Sequence, residues 1–403
     1  MRRMKICMTT LEFPPDTGGV GESVKRISAM LRKAGHEIHV FVFHSSRCKK
    51  EVDGAQARVE TSEQDGVFVH RYQHVDRGNK QSEQDVASDA YLELQKLHDR
   101  ENFDLFHAFF LNETGFLTTL LAREVGRPVV NSIRGADIHK NVFNPKTYSQ
   151  SMWAMENSSW LTFVSRDLER RAHILAPSTQ GRTSAFWNSI VPLDFEALDK
   201  PQLNGQIRGT VIGTSGNFRH KKGIEYLIQA CAELAEETEL TLLMVGDFVA
   251  KEKSYWNDLI NGSGIADRIV VTGRLSREEA LAHHHVVDIF AIPSLRDGCP
   301  NAMMEAMLAR KAVVGANVDA IGEILSDRED GLVVRPGSTE DLVRAFRELA
   351  EDSDLRMRLG DAARDKAIRD LAPARERENW LDVYDRVVAA NDPVYLDATM
   401  VGG

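Results

Sequence analysis

The stretch Val286-Val-Asp-Ile-Phe-Ala-Ile292-Pro293-Ser294-Leu-Arg-Asp297-Gly298-Cys299-Pro300-Asn301-Ala302-Met-Met-Glu305-Ala306 reads as one strand, one turn and one helix. Val286 to Ile292 is a short apolar run of the kind that forms a buried strand, and Pro293-Ser294 ends it. Ala302, Met303, Ala306 and Met307 then recur at helical spacing, which puts Asp297 to Asn301 in the loop and the first helical turn. A helix N-terminus there presents unpaired backbone N–H groups and the positive end of the dipole, both suited to a diphosphate. Gly298 lets the backbone approach a ligand closely. Glu305, about two turns into the expected helix, points along such a ligand, where a carboxylate accepts hydrogen bonds from a ribose diol. Asp297 can do the same for sugar hydroxyls. On its own, an acid pair beside a helix start is more often a solvated face.

The same pattern of strand, turn and helix recurs along the chain. Met4 to Thr9 leads into Pro14-Pro-Asp-Thr-Gly18-Gly19-Val20-Gly21, followed by helix-spaced Val24, Ile27, Leu31 and Ala34. Three glycines in four positions can fold close under a ligand and aim N–H groups at the following helix start, although their spacing is not the dinucleotide fingerprint. Val129 to Ile133 runs into Arg134-Gly135-Ala136-Asp137. Farther on, Val211-Ile-Gly213 precedes Asn217-Phe-Arg219-His220-Lys221-Lys222-Gly223 and a helical pattern through Leu227. Two weaker cases are Leu240 to Asp247, and Ile269 to Arg274 ahead of a helix capped at Ser276.

Taken in order, from about residue 4 to 390, these motifs resemble the retaining nucleotide-sugar glycosyltransferases of family 4, the glycosyl transferases group 1. The first segment resembles their Glu-x7-Glu signature, with Asp297 in place of the first Glu. The resemblance implies an α/β protein of GT-B fold, with two Rossmann-like doubly wound domains facing a cleft. It implies Asp297, Lys222 and Arg134 as catalytic residues, and donor phosphate contacts from Gly18, Gly19, Gly21 and the helix start at Gly298, Cys299, Pro300, Asn301 and Ala302. Lys222 matches the family's diphosphate lysine, whereas Asn217 stands at the usual Arg position, with Arg219 and Lys221 as substitutes. Gly273 and Arg274 fall where relatives hold the nucleobase, Glu305 at the ribose, and Asp137 matches the Asp of the family's His-Gly-x-Asp turn as a substrate-binding residue. Arg134 replaces a common His. A guanidinium binds phosphate or sugar oxygens but is no general base at neutral pH, and it serves equally well as a paired structural charge.

The implied reaction transfers a sugar from a nucleotide-diphosphate donor to a sugar or lipid-linked acceptor with retention, the departing phosphate taking the acceptor proton. Lys222, Arg219 and helix N-termini meet the leaving charge, so no metal or other cofactor is expected. Two alternatives stand beside it: a related epimerase or hydrolase, and a non-catalytic nucleotide-sugar-binding protein. The changed positions Arg134 and Asn217 speak for the latter.

At 403 residues, two domains are expected. They are an N-terminal acceptor-side domain at 1–188 and a nucleotide-sugar domain at 209–372, joined by a linker at 189–208. A last helix from Pro373, carrying Trp380, Val383, Tyr384, Val387 and Val388, crosses back to the first domain and leads into the tail to 403. Residues 74–102 read as a charged, helix-compatible insertion. The four cysteines, Cys7, Cys48, Cys231 and Cys299, lack metal spacing and suggest a reducing cytoplasm. No transmembrane-length run or signal peptide is read. A net charge of -10 argues against nucleic acid and leaves room for peripheral docking on an anionic membrane through a local basic patch. Met152, Trp153, Met155 and Trp160 at helical spacing favour a core stripe over such a contact. His283, His284 and His285 are consecutive, so their rings diverge and do not converge on one metal.

Overall fold

The computed structural model describes residues 3–16, 18–43, 58–74, 83–203 and 205–391. Thr17, Cys48, residues 75–82 of the charged stretch, Asn204 and the tail 392–403 lie outside them. The chain forms two compact units, Met1–Phe186 with Glu376–Gly403, and Trp187–Arg375.

The first unit is an eight-stranded sheet of β1 (Lys5–Thr10), β2 (Glu37–Val42), β3 (Arg58–Gln64), β4 (Val67–Gln73), β5 (Leu105–Phe109), β6 (Val129–Ile133), β7 (Trp160–Phe163) and β8 (Thr183–Ala185). Their spatial order is β3-β4-β2-β1-β5-β6-β7-β8, and all pairs are parallel except β3 with β4. β5, β6 and β7 are buried at every residue because helices cover both faces, and the polar residues among them, His107, Asn131, Ser132 and Thr162, are buried as well. On one face Val24, Ile27 and Leu31 of the helix Gly19–Lys33 pack with Trp380, Val383, Tyr384 and Val387 of the last helix, Pro373–Asn391. The buried His107 on β5 pins that helix, bonding the Tyr384 hydroxyl through Nδ1 at 2.7 Å and Ser132 through Nε2 at 2.7 Å.

On the other face Ala90, Leu94 and Leu97 of the helix Glu83–Glu101 enter the core. The stretch expected as a charged, helix-compatible insertion is helical over its described part, and that helix lies on the crossover between β4 and β5. Its charges mark the outward side of an amphipathic helix. Met155 and Trp160 are buried, and Trp153 packs edge-on against Phe116 at 5.4 Å, so the Met/Trp stripe is interior.

The second unit has six parallel strands, β9 (Thr210–Phe218), β10 (Leu240–Phe248), β11 (Ile269–Val271), β12 (Ile289–Ile292), β13 (Ala312–Ala316) and β14 (Leu332–Val334), ordered β11-β10-β9-β12-β13-β14. The chain winds outward from β9 to β11, then returns to β12 and winds the other way. Open sheets of this type bind ligands beyond the carboxyl ends of the strands at such a reversal. Here it lies between β9 and β12. The first unit has the corresponding reversal between β1 and β5.

Three local expectations change. The strand begins at Ile289, because His283–Val286 form a 3-10 turn with diverging rings: His283 bonds the Glu279 carbonyl, His285 the Leu198 carbonyl, and His284 packs against Phe195 and Phe290. The next helix runs Asn301–Leu308. Pro300 disfavours a helical Cys299, so the helix cannot reach back into the loop, and Glu305 stands one turn in rather than two. Residues 189–208 fall in the second unit. Ile190 is buried in its core and its N–H donates to the Leu371 carbonyl at 2.9 Å. Among the described residues no helix is long and apolar enough to cross a membrane.

Candidate active site

The loops after β9 and β12 meet at the reversal of the second sheet. After β9, Arg219 in extended conformation precedes a 3-10 turn over His220–Lys222, and Gly223 at φ 69° turns the chain into the helix Ile224–Leu234. After β12, residues 293–300 lead to Asn301. The Leu295 N–H donates to the Lys221 carbonyl at 2.9 Å, which laces the two loops together. Their side chains then pair: Lys222 Nζ lies 2.5 Å from Asp297 Oδ2, Lys221 Nζ 3.9 Å from Oδ1, and Ser294 Oγ donates to Oδ2 at 3.4 Å.

Burial alone pushes the Asp297 pKa up, but the charges of Lys222 and Lys221, with the bonds from Lys222 and Ser294, hold it below the ordinary carboxylate value. Lys221 is pulled down from the usual lysine value by burial, against Asp297 and with help from the neighbouring charges of Lys222, Arg219 and Arg296. One carboxylate thus sits between two ammonium groups. Pro300 precedes a helix with no side-chain cap, leaving its first N–H groups on the same edge. Asn301 and Ala302 are half-buried in that first turn, and Asn301 Oδ1 is buried without a hydrogen-bond partner. Gly298 is buried, and the Cys299 carbonyl accepts from Asn188 Nδ2 at 3.3 Å.

Other expected residues of this unit lie farther along its edge. Asn217, at the end of β9, is exposed, as is Arg219. Gly273 takes a left-handed φ of 73° after β11, and Arg274 is exposed. That turn enters the helix Arg277–Ala282, closed by a capping box between Ser276 and Glu279. Its first residue reaches Glu305, with Arg277 Nη2 at 2.9 Å from Oε1.

The first unit departs from expectation at two places. The carboxylate of Glu12 lies under the glycine turn: it accepts the Gly21 N–H at 3.2 Å, and a Cβ on Gly18 would stand 2.1 Å from Glu12 Oε1. Gly18 therefore makes room for Glu12, and the Gly21 N–H expected to face phosphate is donated to a carboxylate. Gly19 is exposed. Asp137 is fully buried and accepts the Leu111 N–H at 2.7 Å and the Arg134 N–H at 3.0 Å. Burial raises its pKa above the ordinary value against those bonds and the charge of Arg134. It braces the loops after β5 and β6, and no face of it is open to substrate. Arg134 itself is half-buried.

Sequence reasoning missed Glu12, Arg277, Asn188 and the turn after β13, where Asp319 accepts the Asp297 N–H at 2.8 Å and Glu323 accepts from Trp187 Nε1 at 3.0 Å. A signal existed. Ala312 to Ala316 is an apolar run followed by a helix start, the same pattern that marked the other loops. Among the described residues, Glu37, His39 and Glu101 form the group spaced to hold a metal; Lys5 Nζ lies 3.0 Å from Glu37 and 3.1 Å from Glu101, so an ammonium already serves both carboxylates.

Two family models match: a glycosyl transferase 4-like domain over residues 18–191 and glycosyl transferases group 1 over residues 198–366. The N-acetyl-alpha-D-glucosaminyl L-malate synthase of Bacillus anthracis is 24% identical over 359 residues, covering 87% of this chain and 89% of that one. The MMP alpha-(1->4)-mannosyltransferase of Mycolicibacterium hassiacum is 22% identical, with 96% and 99% covered. Among solved structures, Anabaena HepE in complex with UDP-glucose superposes with a TM-score of 0.74 at 16% identity, covering 95% of this chain and all 100% of the other. At that identity the likeness is one of fold.

Proposed function

We propose a reaction from the premise that this chain belongs to the glycosyl transferases group 1 family and is a glycosyltransferase of GT-B fold. The second unit holds a nucleotide-diphosphate sugar at the β9/β12 reversal, and the first serves the acceptor. The observation that carries this reading is the Lys222–Asp297 pair beside an uncapped helix start, at the one edge where a doubly wound sheet binds ligands. In the reaction, the bond from the anomeric carbon to the diphosphate oxygen breaks and the acceptor oxygen bonds that carbon on the same face. The acceptor proton passes to the departing phosphate. Lys222, Lys221 and the helix N–H groups meet the charge that develops on the leaving group, and Asp297 keeps the Lys222 ammonium aimed. On the first unit, Arg134 offers its guanidinium to acceptor oxygens.

The relatives support the donor class: one is named for glucosaminyl and another for mannosyl transfer, and HepE was solved with UDP-glucose. A panel of UDP-, GDP-, ADP- and dTDP-sugars, scored for nucleoside diphosphate release with and without sugar or lipid-linked acceptors, tests the reading. Release that depends on acceptor supports transfer. Donor consumption without acceptor points to a hydrolase or epimerase, and binding without turnover to a carrier. Peripheral docking on an anionic membrane belongs to the same reading: Ile174 is 69% exposed on a helix that also carries Arg166, Arg170 and Arg171.

Two results follow from the assignment. Glu305→Gln keeps the shape but removes a charge-assisted acceptor for the ribose diol worth roughly 1.5–3 kcal/mol, so nucleoside diphosphate affinity falls about tenfold or more. The Arg277 partner is more than half exposed, so Tm barely moves. Calorimetric titration checks this, and unchanged affinity removes Glu305 from the site. Lysine ammonium groups supply the countercharge at the diphosphate, so turnover should survive excess EDTA and gain little from magnesium or manganese. Complete, reversible loss with chelator overturns that assignment.

A further inference from the structure

Asp319 stands at the turn from β13 into the helix Asp319–Ile324, with a backbone φ of 44°. That left-handed region is uncommon for a residue with a Cβ, although aspartate and asparagine tolerate it better than most. Glycine would occupy the position without strain. The side chain is only 5% exposed, and its Oδ2 accepts the Asp297 N–H at 2.8 Å. The next residue completes a clasp: the Ala320 N–H donates to the Gly298 carbonyl at 3.2 Å. Asp297 and Gly298 are thus gripped from the β13 side, one through a carboxylate and one through a backbone N–H. From the β9 side the same loop is held by the Leu295 bond to Lys221 and by the Lys222–Asp297 pair. Strained backbone persists where the surroundings over-determine it, and here the surroundings are the loop that carries Asp297.

We propose that Asp319 is a positioning residue for transfer: its carboxylate, aimed by the left-handed turn, fixes the Asp297 backbone so that Asp297 holds Lys222 in line with the leaving diphosphate. The claim rests on the donor-site reading above. The alternative is a loop brace that serves folding alone, and the two separate experimentally because glycine removes strain and carboxylate together. Turnover is read on whichever sugar of the UDP-, GDP-, ADP- and dTDP-linked panel is consumed fastest.

In Asp319→Gly, relief of the backbone strain offsets the lost bond, so Tm stays within a few degrees of wild type while kcat falls at least about tenfold and KM changes less than kcat. Asp319→Asn keeps both an accepting oxygen and tolerance of the turn, and restores kcat to within about threefold. Wild-type kcat in Asp319→Gly overturns the proposal, as does Asp319→Asn failing as badly as Asp319→Gly, or a loss confined to Tm. Lys222→Ala measured alongside separates the two claims. If Lys222→Ala is also fully active, the donor-site reading fails; if Lys222→Ala is inactive and Asp319→Gly is not, only the positioning role fails.

Discussion

Lys222→Ala lowers kcat by roughly 100- to 1,000-fold, the range lost when one preorganised donor to a developing oxyanion is removed. Lys221→Ala costs far less, under about tenfold, because its ammonium stands 3.9 Å from Asp297 while that of Lys222 is at 2.5 Å in the line of the pair. Steady-state kcat and KM for both variants decide it, and equal losses would replace a single aimed cation with a diffuse basic patch. The same substitution has a stability signature. In the wild type Asp297 is held below the ordinary carboxylate pKa, so its contribution is fully present above that value and is lost as pH falls through the folded value. Without Lys222 the burial effect gains weight, the Asp297 pKa rises, and Tm at neutral pH drops. Lys222→Ala combined with Asp297→Asn should recover part of the Tm and none of the turnover.

Gly223→Ala is expected to reduce turnover by about 100-fold or more, the scale of an ångström-level misplacement of a catalytic group. Gly223 has a φ of 69°, and a Cβ there would stand 2.0 Å from the Pro293 carbonyl oxygen. The methyl group therefore pries the β9 loop from the β12 loop at the residue next to Lys222. Stability falls as well, by about 1–3 kcal/mol. Gly264→Ala supplies the control, since Gly264 has a φ of 78° with no atom within 4 Å of the added carbon. That variant carries the backbone strain without the clash and should lose stability while keeping turnover. Equal turnover in both variants would show that the packing of the two loops does not set the geometry of Lys222.

The sequence by itself determined the doubly wound α/β architecture and the loops that carry the site. β12 and the first six residues of β10 are buried throughout, which favours unbroken apolar runs, and the glycines, prolines and basic residues that end such runs are local signals. The outer strand β3 escaped because it is mostly exposed and polar, with little apolar pattern to read. Only the tertiary structure decided which groups meet. Lys222 and Asp297 are 75 positions apart and pair because β9 and β12 are sheet neighbours. Asp137 on the Leu111 N–H, Arg277 on Glu305 and Asp319 on the Asp297 N–H are likewise contacts between segments that strand order brings together, whereas Glu12 folds under Gly18 within one loop. A residue's type states what it can bond, whereas burial and strand order choose its partner. That is why Asp137, legible as a polar turn residue, proved to be a buried brace, and why Asp319 went unread.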